Sequence, residues 1–271
     1  MPARQLAREL KRLREAAGKT QAEVGKWVGT PSTTISKIEN AERNVPIPHL
    51  KLMLQLYGVD QAHSETLTQL AQQAREHRGW WADYGEAVPK WFTEYIGLES
   101  AASEVWTWEQ EYVPGLLQTR RYTEATTGTT SESVEGFARV RATRQQRLTG
   151  ETPVVLRAVL SEAVLRRQVG GPGVMREQVA RLREAMSRPN ISVRILPFST
   201  GAHPGMTGPF TMLRFPERSM DMVYVELRGS AVYMEQPAEV DVHEAAFQRL
   251  SDLALSDDDT TSLLNEMERG Y

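Results

Sequence analysis

Cysteine is absent from the 271 residues. That excludes disulfides, thiolate nucleophiles and cysteine-ligated zinc. It fits a reducing compartment, so a cytoplasmic protein is expected. Long apolar runs are lacking too. No window approaches the roughly 18 consecutive apolar residues of a membrane-spanning helix, and no membrane association is expected. Residues 1–13 are amphipathic rather than basic and then apolar, which argues against a secretory leader. Histidine is scarce. His49, His63, His77, His203 and His243 form neither HExxH nor another metal-ligand spacing. There is no GxSxG elbow and no phosphate-cradling loop ending in Lys-Ser/Thr. The glycine-rich stretch 170–173 lacks that ending and reads as a plain turn. The sequence therefore predicts no enzyme, no metal and no cofactor. An enzyme using a polar pocket near residues 197–209 is the weakest of three functional readings.

What is present is the composition of an ordinary soluble globular protein, with 40% hydrophobic and 25% charged residues. The length favours two domains. The net charge is only −3, but it is unevenly spread. Residues 1–60 hold ten Lys/Arg against six Asp/Glu, a balance of +4, and residues 235–271 hold two against ten, a balance of −8. A basic N-terminal module on an acidic body is compatible with phosphate contact.

The N-terminal module is written in local signals. Leu6, Leu10 and Leu13 recur at helical spacing over 4–17, with Arg4, Arg8, Lys11, Arg12 and Arg14 filling the other positions. Gly18 is a C-cap. Thr20 and Glu23 form a capping box that opens a short helix over 21–28. Gly29 ends it, Thr30 is the next N-cap, and Pro31 takes the first position of a helix over 31–40. A fourth helix covers 48–57. Ala22 and Gly25 are small enough for close approach, and Val24, Val28, Ile35 and Ile38 pack the two short helices together. This is a helix-turn-helix pattern.

The run TQAEVGKWVGTPSTTISKIENAER closely resembles the XRE (Cro/CI-like repressor) family. Double-stranded DNA is then the expected partner, with the helix over 31–40 in the major groove. Ser32 and Thr33 open that helix and Lys37 lies a turn further on the same face, so these three are the expected base readers. The resemblance implies phosphate contacts from Gln21, Asn40 and Arg43. Glu39 reads as structural, pairing locally. One module makes few base contacts, so a homodimer on paired half-sites is expected.

Beyond residue 60 the pattern predicts a helix over 60–78, a glycine-bounded aromatic linker over 79–85, and a helix over 90–98. A strand follows over 104–112, then a helix carrying Tyr122, a polar linker over 126–133, and a basic helix over 134–148. The arginines of the basic helix (Arg139, Arg141, Arg144, Arg147) read as a solvated face paired with the acidic C-terminus. Five of the six tryptophans fall within 80–108 and read as packing between domains. Strands are expected at 153–160, 191–196, 210–215, 222–227 and 231–234, with helices over 162–167, 174–187, 238–255 and 258–268. The fold class is therefore multidomain. An all-α helix-turn-helix domain (1–78) precedes an α+β (mixed α/β) domain (79–271) that dimerises and senses a partner or effector. His203, in the long loop 197–209, is the candidate contact for such an effector or partner.

The segments VPGLLQTRRY, RATRQQRL, LSEAVLRRQVGG, VMREQVARL, PNISVRILPFSTGAHPG and GPFTMLRFP resemble a large group of actinobacterial XRE-type regulators. These are WhiJ-like, are also described as antitoxin-like, and carry a companion C-terminal domain of unassigned function. The resemblance implies a sequence-specific transcriptional regulator. The alternative is an antitoxin-like protein whose C-terminal domain binds a small partner encoded nearby, while its N-terminal domain autoregulates the operon.

Overall fold

The computed structural model describes residues 2–41, 43–76, 90–127 and 131–271, with backbone alone at 2–5, 62, 69–70, 72–76, 90–91 and 131–133. The linker expected over 79–85, with Trp80 and Trp81, lies outside the described residues, as does His77. The chain forms two compact units, Met1–Ala82 and Asp83–Tyr271.

Among the described residues the first unit has helices alone: α1 (Pro2–Ala16), α2 (Gln21–Val28), α3 (Ser32–Glu39), α4 (Ile47–Tyr57) and α5 (Gln61–Glu76). Apolar residues at helical spacing on each element meet in one core. Leu6 and Leu10 of α1, Val24 and Val28 of α2, Ile35 and Ile38 of α3, and Leu50, Met53 and Leu54 of α4 are all buried there. The capping box at the start of α2 is present. Thr20 Oγ1 accepts from the Glu23 amide at 3.2 Å, and the Thr20 amide donates to Glu23 Oε2 at 2.8 Å.

The second unit is a six-stranded mixed sheet with helices. Its elements are α6 (Lys90–Ala101), β1 (Glu104–Glu109), α7 (Arg120–Thr127), α8 (Ser131–Gln145), β2 (Val155–Ser161), α9 (Glu162–Arg166), α10 (Pro172–Met186) and β3 (Ile191–Leu196). They continue with β4 (Phe210–Arg214), β5 (Met222–Leu227), β6 (Ser230–Met234), α11 (Pro237–Leu253) and α12 (Asp257–Gly270). The strand order is β3-β2-β1-β4-β5-β6. The β1–β2 and β2–β3 pairs are parallel, and the remainder of the sheet is antiparallel. The parallel half follows from helical crossovers between its strands, and the antiparallel β4–β5 and β5–β6 pairs from short connections.

Alternation along each strand sorts the two sheet faces. Trp106 and Trp108 of β1, Phe210 and Met212 of β4 and Val223 of β5 join Val240, Phe247 and Leu250 of α11 in a core. The ring of Trp106 lies 5.2 Å from that of Phe247. Trp106 and Trp108 therefore serve the second unit's own core, and the side chain of Trp91 lies outside the described residues. Two other expectations need correction. The polar linker over 126–133 is shorter, because α7 runs to Thr127 and α8 begins at Ser131. Of the arginines expected on a solvated face over 134–148, Arg139 is exposed, but Arg141 and Arg144 of α8 and Arg147 just after it turn to the fold. Arg144 is buried against Glu99, Arg147 donates to the carbonyls of Glu99 and Ala102, and Arg141 donates to Gln118 and Thr123. An arginine buried without a carboxylate or carbonyl would be costly, so the fold supplies acceptors from α6 and the 113–123 segment.

Candidate nucleic-acid interface

The turn between α2 and α3 is set by two glycines. Gly29 takes the left-handed conformation (φ 73°) that ends α2. At Gly25 a Cβ would stand 2.6 Å from the Thr30 carbonyl oxygen and 3.2 Å from the Ser32 amide. The close approach expected of Ala22 and Gly25 thus belongs to Gly25, because Ala22 is exposed.

α3 begins one residue later than its sequence indicates. Pro31, with extended ψ, is the N-cap residue, and no side chain caps the helix. The helix is therefore opened by the amides of Ser32 and Thr33, without a side-chain acceptor, which leaves a partial positive charge at its exposed end. Ser32, Thr33 and Lys37 are all exposed, while Ile35 and Ile38 turn inward. The three expected base readers therefore share the outward face of α3.

The chain leaves α3 through Asn40 and through Ala41, whose φ of 56° is unusual for a residue with a side chain. The Arg43 amide then donates to the Lys37 carbonyl at 3.2 Å, which brings Arg43 back beside the end of α3. Asn40 and Arg43 are exposed, and neither Lys37 nor Arg43 holds an ion pair among the described residues. Two cations and an amide are thus presented together at one end of the helix.

Gln21 is placed differently. Its Nε2 donates to Glu39 Oε2 at 2.9 Å, which fixes the side chain beneath α3 with one amide hydrogen already used. Glu39 is structural, as its position in the sequence indicates, but its partners are distant. Arg14 of α1 grips it in two bonds, Nε to Oε1 at 2.7 Å and Nη2 to Oε2 at 3.1 Å, and also donates to the Lys19 carbonyl at 2.8 Å. The Glu39 carboxylate raises the pKa of Arg14 further. One buried ion pair therefore ties α1, the loop before α2, α2 and α3 into a single frame. Arg14 reads as a surface arginine in the sequence. The one available clue is its four-residue offset from Leu10 on the apolar face.

In the second unit, His203 stacks edge-on to Trp108 at 5.3 Å, its Nδ1 buried without a partner among the described residues and its pKa lowered by burial. The surrounding loop is pinned to the sheet. The Gly205 carbonyl accepts from Trp108 Nε1 at 2.9 Å and from Gln110 Nε2 at 2.7 Å.

Among the described residues no group of histidines and carboxylates could hold a metal ion, and no helix is long and apolar enough to cross a membrane.

An exposed second helix, held by a glycine turn against a supporting first helix, defines a helix-turn-helix domain joined to a mixed-sheet domain. Comparison with known families agrees. Residues 5–67 match a family described as a helix-turn-helix domain, and residues 92–266 match a domain of unknown function (DUF5753). The chain belongs to the DUF5753 family, which spans most of its length. No curated protein and no solved structure matches it.

Proposed function

We propose that the protein is a sequence-specific, DNA-binding transcriptional regulator that acts as a homodimer in the cytoplasm and performs no catalytic step. The observation that carries this reading is the outward face of α3. Ser32, Thr33 and Lys37 stand free of the core there, with Asn40 and Arg43 beside them. Lysine donates to guanine O6 and N7, and hydroxyls reach several base edges. Arg43 and Asn40 suit phosphate oxygens, which hold register without reading sequence. Gln21 is assigned to a phosphate through its remaining amide hydrogen. The likeness of the helix-turn-helix run and of the C-terminal segments to XRE-type, WhiJ-like regulators supports the same reading. A reading helix of eight residues covers few base pairs. Two copies on paired half-sites supply the specificity that one lacks.

The test is genome-wide mapping of bound sites followed by titration of the recovered operator with wild type and Lys37→Ala. Loss of one base contact weakens operator binding by about 1–3 kcal/mol while leaving non-specific binding nearly unchanged. Equal operator affinity in the two proteins would overturn the groove assignment.

A further inference from the structure

The sheet face opposite α11 carries a cavity that the fold leaves chemically incomplete. Val105, Thr107 and Glu109 of β1 point away from Trp106 and Trp108, because side chains alternate. The strand register sets Thr107 beside Thr211 of β4 and Thr211 beside Tyr224 of β5. The two threonine hydroxyls are bonded at 3.1 Å. α6 contributes Phe92 and Tyr95 to the wall and α8 contributes Arg141 and Arg144. Together they enclose about 90 Å³. On the scale at which roughly 10–15 Å³ admits one water, this is room for a ligand of several heavy atoms.

Charge in this cavity is split between two sides. Arg144 is fully used, because Glu99 takes it in two bonds of 2.8 and 2.6 Å. Arg141 is not. Its Nη1 donates to Gln118 and to Thr123 Oγ1, both neutral acceptors, and its buried Nε has no acceptor among the described residues. Desolvation lowers the Arg141 pKa to about 10. On the other side, Glu226 accepts from the Tyr224 hydroxyl at 3.1 Å, and Glu109 accepts from Thr107 Oγ1 at 3.4 Å. Neither carboxyl has an ion pair among the described residues, and burial together with the Glu226 charge pushes Glu109 up to about 8. One cation without a counter-ion thus shares a small cavity with two carboxyls without a cation. The buried Nε of Arg141 is without an acceptor, Glu109 is half-buried and Glu226 stands exposed at the rim, so a bound molecule carrying both charges would complete both sides at once.

We propose that this cavity binds a small zwitterion of the α-amino-acid type. Its carboxylate meets the Arg141 guanidinium, its ammonium lies between Glu109 and Glu226, and its apolar part rests on Phe92, Tyr95 and Leu116. A lone anion would leave the carboxyls facing each other, and a lone cation would leave Arg141 unpaired. If the chain is a regulator, this is its effector site, but the proposal does not depend on DNA binding and is tested without DNA.

The experiment is calorimetric titration of the full chain, near pH 7, with each of the common proteinogenic amino acids. The one that binds best is then compared with its decarboxylated amine and its deaminated acid. At least one amino acid is expected to bind, with both truncated analogues weaker by about tenfold or more, since each leaves one side of the cavity without its counter-charge. Glu226 is exposed, so Glu226→Gln keeps the fold, and its effect on binding should also be about tenfold with the melting temperature unchanged. Arg141→Gln should abolish binding, but the arginine also bonds Gln118 and Thr123, so Glu226→Gln is the deciding variant. Absence of binding by every amino acid at about 10 mM would overturn the site. So would binding that Glu226→Gln leaves intact, or an acid analogue that binds as tightly as the zwitterion. Equal operator affinity of wild type and Lys37→Ala would count against α3 alone, so the two proposals fail separately.

Discussion

Glu39 occupies the last turn of α3, yet its side chain is only 1% exposed. A carboxylate taken out of water is stabilised only by its partners, and here these are Arg14 and Gln21. Removing one member strands the other charge in the interior, which costs about 3–5 kcal/mol in buried pairs, whereas replacing both with apolar groups of similar size is far milder. Glu39→Ala is therefore expected to destabilise the first unit by about that amount in urea denaturation, and the double variant Arg14→Met, Glu39→Leu should recover most of the loss. A small effect of Glu39→Ala would mean that the pair is not the clamp. Glu109 makes the opposite kind of prediction. Its carboxyl is pushed from an ordinary value of 4.5 up to about 8 by burial and by Glu226. Between those values the folded chain binds more protons than the unfolded chain, so stability falls as pH rises. The contribution is complete below about pH 4.5 and is lost as pH passes about 8. Glu109→Gln should flatten this dependence. Its stability relative to wild type should rise between pH 5 and pH 8.5, and a gap that stays constant with pH would place Glu109 in ordinary solvent.

At the scale of elements, the α2–turn–α3 unit depends on backbone contact. A methyl at Gly25 would meet the Thr30 carbonyl oxygen at 2.6 Å, and neither backbone segment is free to retreat. Gly25→Ala should shift α3 against α2 and cost about 1–3 kcal/mol, as overpacked sites do. DNA binding should fall with it, while Ala22→Ser, at an exposed site, should leave both unchanged. Unaltered stability of Gly25→Ala would show that the turn can yield. These same features made the first unit legible in the sequence. The Thr20–Glu23 box, Gly29 and the spacing of Val24, Val28, Ile35 and Ile38 are local signals that act within a few residues. The one-residue error at the start of α3 arose because Pro31 can serve either as cap or as first residue. The strands of the second unit were legible for the same reason, since apolar β-branched runs such as that around residues 155–160 mark themselves. Their order was not. Pairing of β1 with β2 and β4 joins segments about 50 and 105 residues apart, and no local pattern encodes that. The burial of Arg141, Arg144 and Arg147 is hidden from the sequence on the same ground. Their acceptors, Glu99, Ala102, Gln118 and Thr123, come from other elements, and only the folded chain brings them together.

For the whole molecule, net charge is a poor guide to partner. A chain of −3 would repel DNA if its charge were smeared evenly, but residues 1–60 carry a balance of +4. Salt dependence separates the two pictures. Each phosphate neutralised by a cation releases counter-ions and adds about −0.9 to the slope of log K against log salt concentration. Arg43 is assigned to phosphate and Lys37 to base edges, so their loss should register differently. Arg43→Ala should weaken operator and non-specific DNA alike and make the slope shallower, whereas Lys37→Ala should chiefly reduce discrimination between sequences. The size of the slope change also counts copies. A monomer on DNA would lose about 0.9 from the slope on Arg43→Ala, and a dimer carrying the change twice would lose about 1.8. Titrations of one operator at several salt concentrations, with wild type and Arg43→Ala, therefore test the phosphate contact and the dimer together. No change in slope would remove Arg43 from the interface. A change near 0.9 would keep the contact and discard the dimer.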